Sequence, residues 1–424
     1  MLKENDVSRS VPDYAAIVPS AELESVMVQS HHDYGDYCSD YTAVHNVVQP
    51  KMRTLSRTER LRELCLNAGF MYRLPYFECG DFDNMSSYPL LGCGGFGQVY
   101  EAPLKQELCA IKVMSIHDEI AEISAIAELS ALMSIQENPN PGLLAIKGFG
   151  VKPGCDHALS NDGFVQFPQL WIATELHKLG SLADYLSAAS SAGAKAVAQQ
   201  TAFCPQALYA LCVQLLDTLE HFHHHTSRVH LDLKPENIFV SNEGKLVIGD
   251  FGLSAKLEQL RSPPFTRIGT PGYGGPELQF VVGDPIEDSS DIYSIAVVMS
   301  QILSLGEPER LATPREAFHR AFDNLYDVIV DVCDYGGTKD ETRSTMDYMM
   351  RCASRIMPFP VHLCTSTQSL LRDMMCWNPD SRPFAYEAAR RLRRIAEENW
   401  PGWVPEAFTL DGKEWQKLLH LSSN

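Results

Sequence analysis

The sequence predicts an α+β chain of two lobes, a small β-rich lobe leading into a larger helical one. The first observation is a cluster of short apolar runs with strand character, Leu90–Tyr100, Leu108–Met114, Leu143–Phe149 and Leu170–Glu175, interrupted by one helical stretch at Glu119–Ile135. The second is a change of texture after residue 180. Apolar residues there fall at helical spacing over Ser181–Ala188, Pro205–His223, Ser289–Leu303 and Leu370–Trp377. The third is composition: 424 residues, 45% hydrophobic and 21% charged, which suits a globular chain and excludes a collagen, a coiled-coil rod or a wholly disordered polymer. A cleft between two such lobes is the default place for a ligand.

The flanks read differently. Residues 1–50 lack periodicity and mix Ser, Asp, His and Tyr, so they read as a disordered tail; the pair His31-His32 beside Asp33 suits a solvated tail better than a metal site, because no spaced ligand set follows. Residues 51–83 form an N-terminal extension with a helix near 56–70, where Leu61, Leu64, Leu66 and Phe70 alternate with Arg57, Arg60, Arg62 and Glu63 and are expected to pack on the domain that follows. That domain spans 84–397, divided into lobes 84–178 and 179–397, with a C-terminal tail at 398–424. The polar loop 151–168 and the Ala/Ser/Gln stretch Ala188–Thr201 read as insertions, the second of them flexible.

A net charge of −19 disfavours nucleic acid and anionic membrane as partners. The most apolar run, Ile292–Leu305, is shorter than the ~20 residues a bilayer requires. The first residues carry both signs of charge and no apolar stretch, unlike a signal peptide. Twelve scattered cysteines with no Cys-x-x-Cys pair read as reduced thiols, which points to the cytoplasm, with the nucleus as the alternative.

Three motifs carry chemistry. Gly92-Cys93-Gly94-Gly95-Phe96-Gly97-Gln98-Val99 lets backbone amides approach phosphates without a Cβ in the way. Taken alone it also fits a flexible hairpin or a dinucleotide fold, but a strand-like run, Gln98–Ala102, follows it rather than the helix a dinucleotide fold needs. Lys112 sits inside the apolar run Ala110-Ile111-Lys112-Val113, where a charge demands a partner. Glu122 and Glu128 on the next helix both qualify, and spacing favours Glu128. Third, Val229-His230-Leu231-Asp232-Leu233-Lys234-Pro235-Glu236-Asn237 is followed by Asp250-Phe251-Gly252. Two carboxylates and an amide in turns suit oxygen ligation of Mg²⁺ and a proton acceptor.

In this order the motifs resemble the eukaryotic protein kinases of Ser/Thr type, apart from the missing Arg before the catalytic Asp. Further pieces match: Thr174-Glu175-Leu176-His177 as hinge, Gly269-Thr270-Pro271 and Gly275-Pro276-Glu277 as the end of the activation segment, Asp291-Ile292-Tyr293-Ser294 opening the buried helix, and Arg382 as partner of Glu277. The resemblance implies a bilobal protein-kinase fold and an ATP- and Mg²⁺-dependent transfer of the γ-phosphoryl group to Ser/Thr hydroxyls of a protein substrate. It implies that Gly92–Val99 covers the triphosphate, that Lys112, oriented by Glu128, contacts phosphates, and that Val99, Ala110 and Phe239 flank adenine beside backbone groups of Glu175 and His177. By the same resemblance Asp232 takes or orients the hydroxyl proton, Lys234 steadies the γ-phosphoryl charge, and Asn237 and Asp250 hold Mg²⁺. The alternative is a nucleotide-binding pseudokinase scaffold, against which stands the presence of Lys112, Asp232, Asn237 and Asp250.

Four departures stand out. Leu231 occupies the position where most members carry Arg, so a phosphate on Thr266 lacks its usual dock and would depend on Arg228, Lys256 or Arg267; the activation segment is therefore expected to be held by packing or by a partner. Gly275 replaces Ala and is expected to be neutral, and Ala296 replaces a common Gly. The stretch between 305 and 365 exceeds the family's length, with added helices expected at 326–332 and 346–356, either as a docking site for a partner or as an embellishment of this chain.

Overall fold

The computed structural model describes residues 55–67, 75–82, 85–95, 97–154, 167–192, 204–260, 268–270, 272–279, 286–305, 363–376 and 378–421. The expectations for the 1–50 tail, for Phe96, Thr266 and Arg267 and for the added helices at 326–332 and 346–356 lie outside these residues, as do most of the polar loop and the end of the Ala/Ser/Gln stretch.

The N-terminal lobe opens with helix α1 (Arg57–Asn67) and carries strands β1 (Leu90–Gly94), β2 (Gly97–Leu104) and β3 (Glu107–Ser115), helix α2 (Glu119–Glu137), and strands β4 (Ile146–Lys152) and β5 (Gln169–Glu175). The strands form one antiparallel sheet in the order β1-β2-β3-β5-β4. The run Leu90–Tyr100 is two strands rather than one, because the chain reverses where Gly94 pairs with Gly97. Gly97 has φ +132°, and a Cβ there would lie 2.3 Å from the Val113 carbonyl oxygen, so only glycine lets β2 close on β3. Residues 75–82 are not helical throughout: Phe77 bonds to the Phe149 carbonyl, and Phe77 and Phe82 pack with Trp171 under the sheet.

Strand alternation fixes which side chains enter the cleft. Cys109, Ile111 and Val113 face the core that holds Phe77, Phe82 and Trp171, so Ala110 and Lys112 face the opposite side. Val99 lies directly across from Lys112, and Thr174 across from Ala110. Helix α2 starts where Asp118 Oδ1 accepts from the Ala121 amide at 2.8 Å and stops at Asn138, ahead of Pro139. Its buried face includes Ala125, Leu129 and Leu132.

The C-terminal lobe contains α3 (Leu182–Ala192), α4 (Pro205–Thr226), β6 (Arg228–Val229), β7 (Ile238–Val240), β8 (Leu246–Ile248), β9 (Ala255–Lys256), α5 (Pro276–Gln279), α6 (Ser289–Ser304), α7 (Thr365–Met374), α8 (Ala385–Asn399) and α9 (Gly412–Leu421). Strands β7 and β8 pair as a hairpin, and β6 pairs with β9. Helix α3 runs through Ala188 and Ala189, both buried, so the stretch expected to be flexible begins as helix. Helix α7 starts at Thr365, ahead of the expected Leu370. Its first turns lack an apolar signal, yet Thr367 is fully buried and shares a 2.6 Å hydroxyl bond with Tyr209. Among the described residues no helix is long and apolar enough to cross a membrane.

Residues 398–421 dock on this lobe. Trp400 meets Tyr209 edge-on at 5.1 Å. Trp415 is fully buried, with its ring 4.7 Å from Tyr185 and its Nε1 donating to the Gly244 carbonyl at 3.0 Å.

Glu277 and Arg382 form a buried bidentate pair at 2.7 and 2.8 Å; Arg382 also donates to the carbonyls of Ser289 and Cys376 and covers the Tyr293 ring at 5.2 Å. The pair bears on the expectation that Gly275 in place of Ala is neutral. A Cβ at Gly275 would lie 2.6 Å from Glu277 Oε1, and the Arg382 fork prevents that carboxylate from moving aside. Gly275→Ala should therefore lower stability by roughly 1–3 kcal/mol, the usual cost of overpacking, seen as a lower thermal midpoint; an unchanged midpoint would contradict the assignment.

Candidate active site

Two polar clusters line the cleft between the lobes. The first joins them. Lys112 Nζ, on β3, donates to Glu128 Oε2 on α2 at 2.6 Å and to Asp250 Oδ1 of the lower lobe at 2.8 Å. Glu128, and not Glu122, is thus the partner of Lys112; Glu122 instead faces Arg60. One ammonium shared by two carboxylates, Glu128 buried and Asp250 half-buried, leaves the cluster one negative charge in excess. Burial pushes the Glu128 carboxyl up, against the pull of Lys112. Burial acts in the same direction on Asp250, but there Lys112 prevails and holds the carboxyl below its usual range. For Lys112 burial opposes the charged form, and the two carboxylates overcome it and raise its pKa.

The second cluster surrounds Asp232. Its Oδ1 accepts from the Thr270 hydroxyl at 2.6 Å, and its Oδ2 lies 2.8 Å from Lys234 Nζ. Lys234 Nζ also donates to Thr270 Oγ1 at 2.7 Å. Asn237 Nδ2 donates to the Asp232 carbonyl at 2.8 Å and to Oδ2 at 3.1 Å, which fixes the orientation of the amide.

The backbone around these groups is held from below. Asp291, fully buried at the start of α6, accepts from the amides of His230 (2.7 Å) and Leu231 (2.9 Å) and bonds His223 Nε2 at 2.8 Å. Leu231 and Asp250 both have left-handed backbones, φ 69° and 58°. Phe251 is fully buried, its ring 5.1 Å from His230 and 5.4 Å from Phe222. Gly252 allows α2 to press close, since a Cβ there would lie 2.9 Å from Ser124 Oγ. Gly269, with φ +81°, lies against the Leu231 carbonyl, which a Cβ would approach to 2.4 Å.

The expected nucleotide contacts lie along the same cleft. Gly92, Cys93, Gly94, Gly95, Gly97 and Val99 form the β1–β2 hairpin, with Cys93 exposed. The register sets Val99 and Ala110 on the Lys112 face. Glu175 ends β5, and the chain turns at His177, whose carbonyl accepts from the Gly180 amide at 3.2 Å. The His177 ring stacks beside Phe239 at 6.1 Å. Thr270, Asp291, His223 and Arg60 were not singled out as site residues by the sequence. Thr270 and Asp291 lie within the quoted segments Gly269-Thr270-Pro271 and Asp291-Ile292-Tyr293-Ser294, but the contacts that give all four their roles are distant along the chain.

Comparison with known proteins agrees with this geometry. The family model described as "Protein kinase domain" matches residues 85–392. The serine/threonine-protein kinase 4 homolog B of Dictyostelium discoideum is 24% identical over 220 residues, covering 51% of this chain and 17% of that protein. The interferon-induced, double-stranded RNA-activated protein kinase of Mus musculus is 28% identical over 229 residues, covering 53% and 40%. The mitogen-activated protein kinase kinase 2 of Arabidopsis thaliana is 27% identical over 240 residues, covering 57% and 58%. The chain thus spans less than two thirds of each of these relatives. With the family model covering most of the sequence, from the glycine hairpin past Arg382, the chain belongs to the protein kinase family.

Proposed function

We propose that this chain transfers the γ-phosphoryl group of ATP, with Mg²⁺, to serine or threonine hydroxyls of a protein substrate. The observation that carries the proposal is the convergence in one cleft of the Lys112–Glu128–Asp250 triad with the Asp232–Lys234–Thr270 cluster.

The donor set suits Mg²⁺. Asp250 offers its second carboxylate oxygen, since Oδ1 is engaged by Lys112, and Asn237 spends its amide N–H on Asp232, turning its carbonyl oxygen to the other side. Among the described residues no group of three or more His, Cys, Asp or Glu gathers as a metal cage. Mg²⁺ does not need one, because it commonly keeps waters and phosphate oxygens around one or two protein ligands. The excess negative charge of the triad favours an incoming cation. When bound, Mg²⁺ neutralises charge developing on the phosphates.

The chain's own groups divide the remaining work. The β1–β2 hairpin offers backbone amides to phosphate oxygens, and Lys112, fixed by Glu128, holds them. Asp232 orients the substrate hydroxyl and receives its proton. Lys234, bonded to both Asp232 and Thr270, stands ready to balance the charge of the transferred group. The serine/threonine assignment rests on resemblance: Lys234, two residues after Asp232, and Gly269-Thr270-Pro271 are what Ser/Thr kinases of the family carry.

Apolar packing supports the reading of Leu231 as a substitute for a phosphate clamp. Leu231 is 3% exposed and packs with Val229, Ala255, Leu260, Ile268, Leu278 and Ile286. These residues come from both sides of the activation segment. Among the described residues the Arg228 guanidinium bonds Ser130 of α2.

Lys112→Met keeps an apolar stem but removes the cation, and should lower kcat at least a hundredfold, about 3 kcal/mol. Asp250→Asn should abolish the Mg²⁺-dependent rate. Nucleotide turnover by the wild type with neither variant affected would contradict both roles, whereas a wild type that binds nucleotide without turnover would favour a scaffold.

The pH profile offers an independent test. On acidification from neutrality Glu128, with its raised pKa, takes up a proton before Asp250, and Lys112 loses one partner. A carboxyl whose folded pKa exceeds its unfolded value favours the folded state as pH falls, so this step should not unfold the protein. Activity should therefore decline above the ordinary glutamate pKa while the thermal midpoint holds. Parallel loss of both would contradict the assignment.

Phosphatase treatment of the purified protein should change kcat less than about threefold, under about 1 kcal/mol. A drop of about tenfold, roughly 1.4 kcal/mol, would overturn the packing account.

A further inference from the structure

We propose that Arg60 is a positioning residue for phosphoryl transfer, acting through Glu122 and helix α2 on the Glu128–Lys112 pair; the inference rests on the phosphoryl-transfer reading above. Helix α1 lies before the segment matched by the family model, packs on β4 and reaches α2 through Arg60. Arg60 Nε donates to Glu122 Oε1 at 3.0 Å, and Nη2 donates to Oε2 at 2.9 Å. The third contact, Nη1 to the Leu55 carbonyl at 2.9 Å, braces the guanidinium against its own chain. Leu61 is fully buried in the same core as Ala125 and Leu129 of α2, and Thr58 bonds Gly154 at the end of β4.

A planar fork on both oxygens of one carboxylate sets direction as well as distance, which a single-point contact does not. The pair is largely sheltered, with side-chain exposures of 20% for Arg60 and 11% for Glu122. It therefore escapes most of the screening that makes surface pairs weak. Glu122 lies in the first turn of α2 and Glu128 in the middle, about 9 Å further along the axis. From its middle onward α2 is already tied to the sheet by Lys112 and to the lower lobe by the Arg228–Ser130 bond. Arg60 restrains its first turn and so resists the swing that would draw Glu128 away from Lys112.

The test uses the full chain and compares steady-state kinetics for MgATP with thermal unfolding. Arg60→Ala should lower kcat/KM for MgATP by about fivefold or more, the effect of a matching shift away from the competent arrangement, and the loss should persist when activity is assayed well below the variant's own, lower thermal midpoint. Arg60→Lys, which restores the charge without the fork, should recover only part of the loss. Arg60→Glu and Glu122→Arg should each be poor enzymes, and the double swap should return to within about twofold of wild type. Arg393→Ala, which breaks a surface pair with Asp217 far from the cleft, serves as control and should leave activity unchanged. Wild-type kinetics in Arg60→Ala and Arg60→Glu, or a double swap no better than the product of its single changes, would overturn the proposal. If Arg60→Glu fails to fold, Arg60→Ala and Arg60→Lys decide it: a graded loss of kcat/KM in soluble, folded protein supports the role, and none overturns it. A wild type with no phosphoryl transfer at all would instead fail the reading on which this inference rests.

Discussion

The structure depends on one arrangement of charge: an ammonium from the upper sheet held between a carboxylate of α2 and a carboxylate of the lower lobe. Lys112 reaches Glu128 at 2.6 Å and Asp250 at 2.8 Å, and these three residues come from β3, α2 and the turn after β8. No two of them are neighbours in sequence, so the triad exists only when both lobes and the helix between them are in register. Burial makes the charges expensive to leave unpaired, and two acids around one base leave a standing demand for a cation. On the proposed function, the same groups that assemble the lobes would also hold a metal and, through that cation, the phosphates.

A second anchor lies beneath the first. Asp291 accepts from two amides of the segment carrying Asp232, those of His230 and Leu231, and also bonds His223 of α4, holding Leu231 in a left-handed conformation that a leucine adopts only under constraint. Strain of this kind concentrates at sites whose geometry must not relax. Leu231 contributes in another way as well. It shares an apolar cluster with Ile268 and Leu278, and on the proposal above that contact restrains the activation segment permanently in place of a switchable charged dock.

Much of this was legible in the chain itself. The glycine hairpin, Lys112 within an apolar strand, and the Asp232–Asn237 and Asp250–Gly252 strings are local patterns, and local patterns survive without knowledge of distant partners. Glu128 was preferred to Glu122 on spacing, and the structure gives the reason Glu122 is unavailable: Arg60, far earlier in the chain, occupies it. The features that were not legible share a cause. The space at Gly275 cannot be read from the chain, because the Glu277 carboxylate 2.6 Å from where a Cβ would stand is brought there by its pairing with Arg382. The first turns of α7 carry no apolar signal because Thr367 is buried through a hydroxyl bond to Tyr209 rather than through hydrocarbon. The docking of residues 398–421 rests on Trp400 and Trp415 finding Tyr209 and Tyr185, contacts no periodicity announces.

The most direct measurement is to incubate the purified full chain with γ-labelled ATP, a mixed Ser, Thr and Tyr peptide library and graded Mg²⁺, then identify the phosphorylated amino acids. The account predicts Mg²⁺-dependent label on serine and threonine, with tyrosine at background. Label confined to tyrosine, transfer independent of divalent cation, or saturable nucleotide binding with no transfer to any acceptor would contradict it.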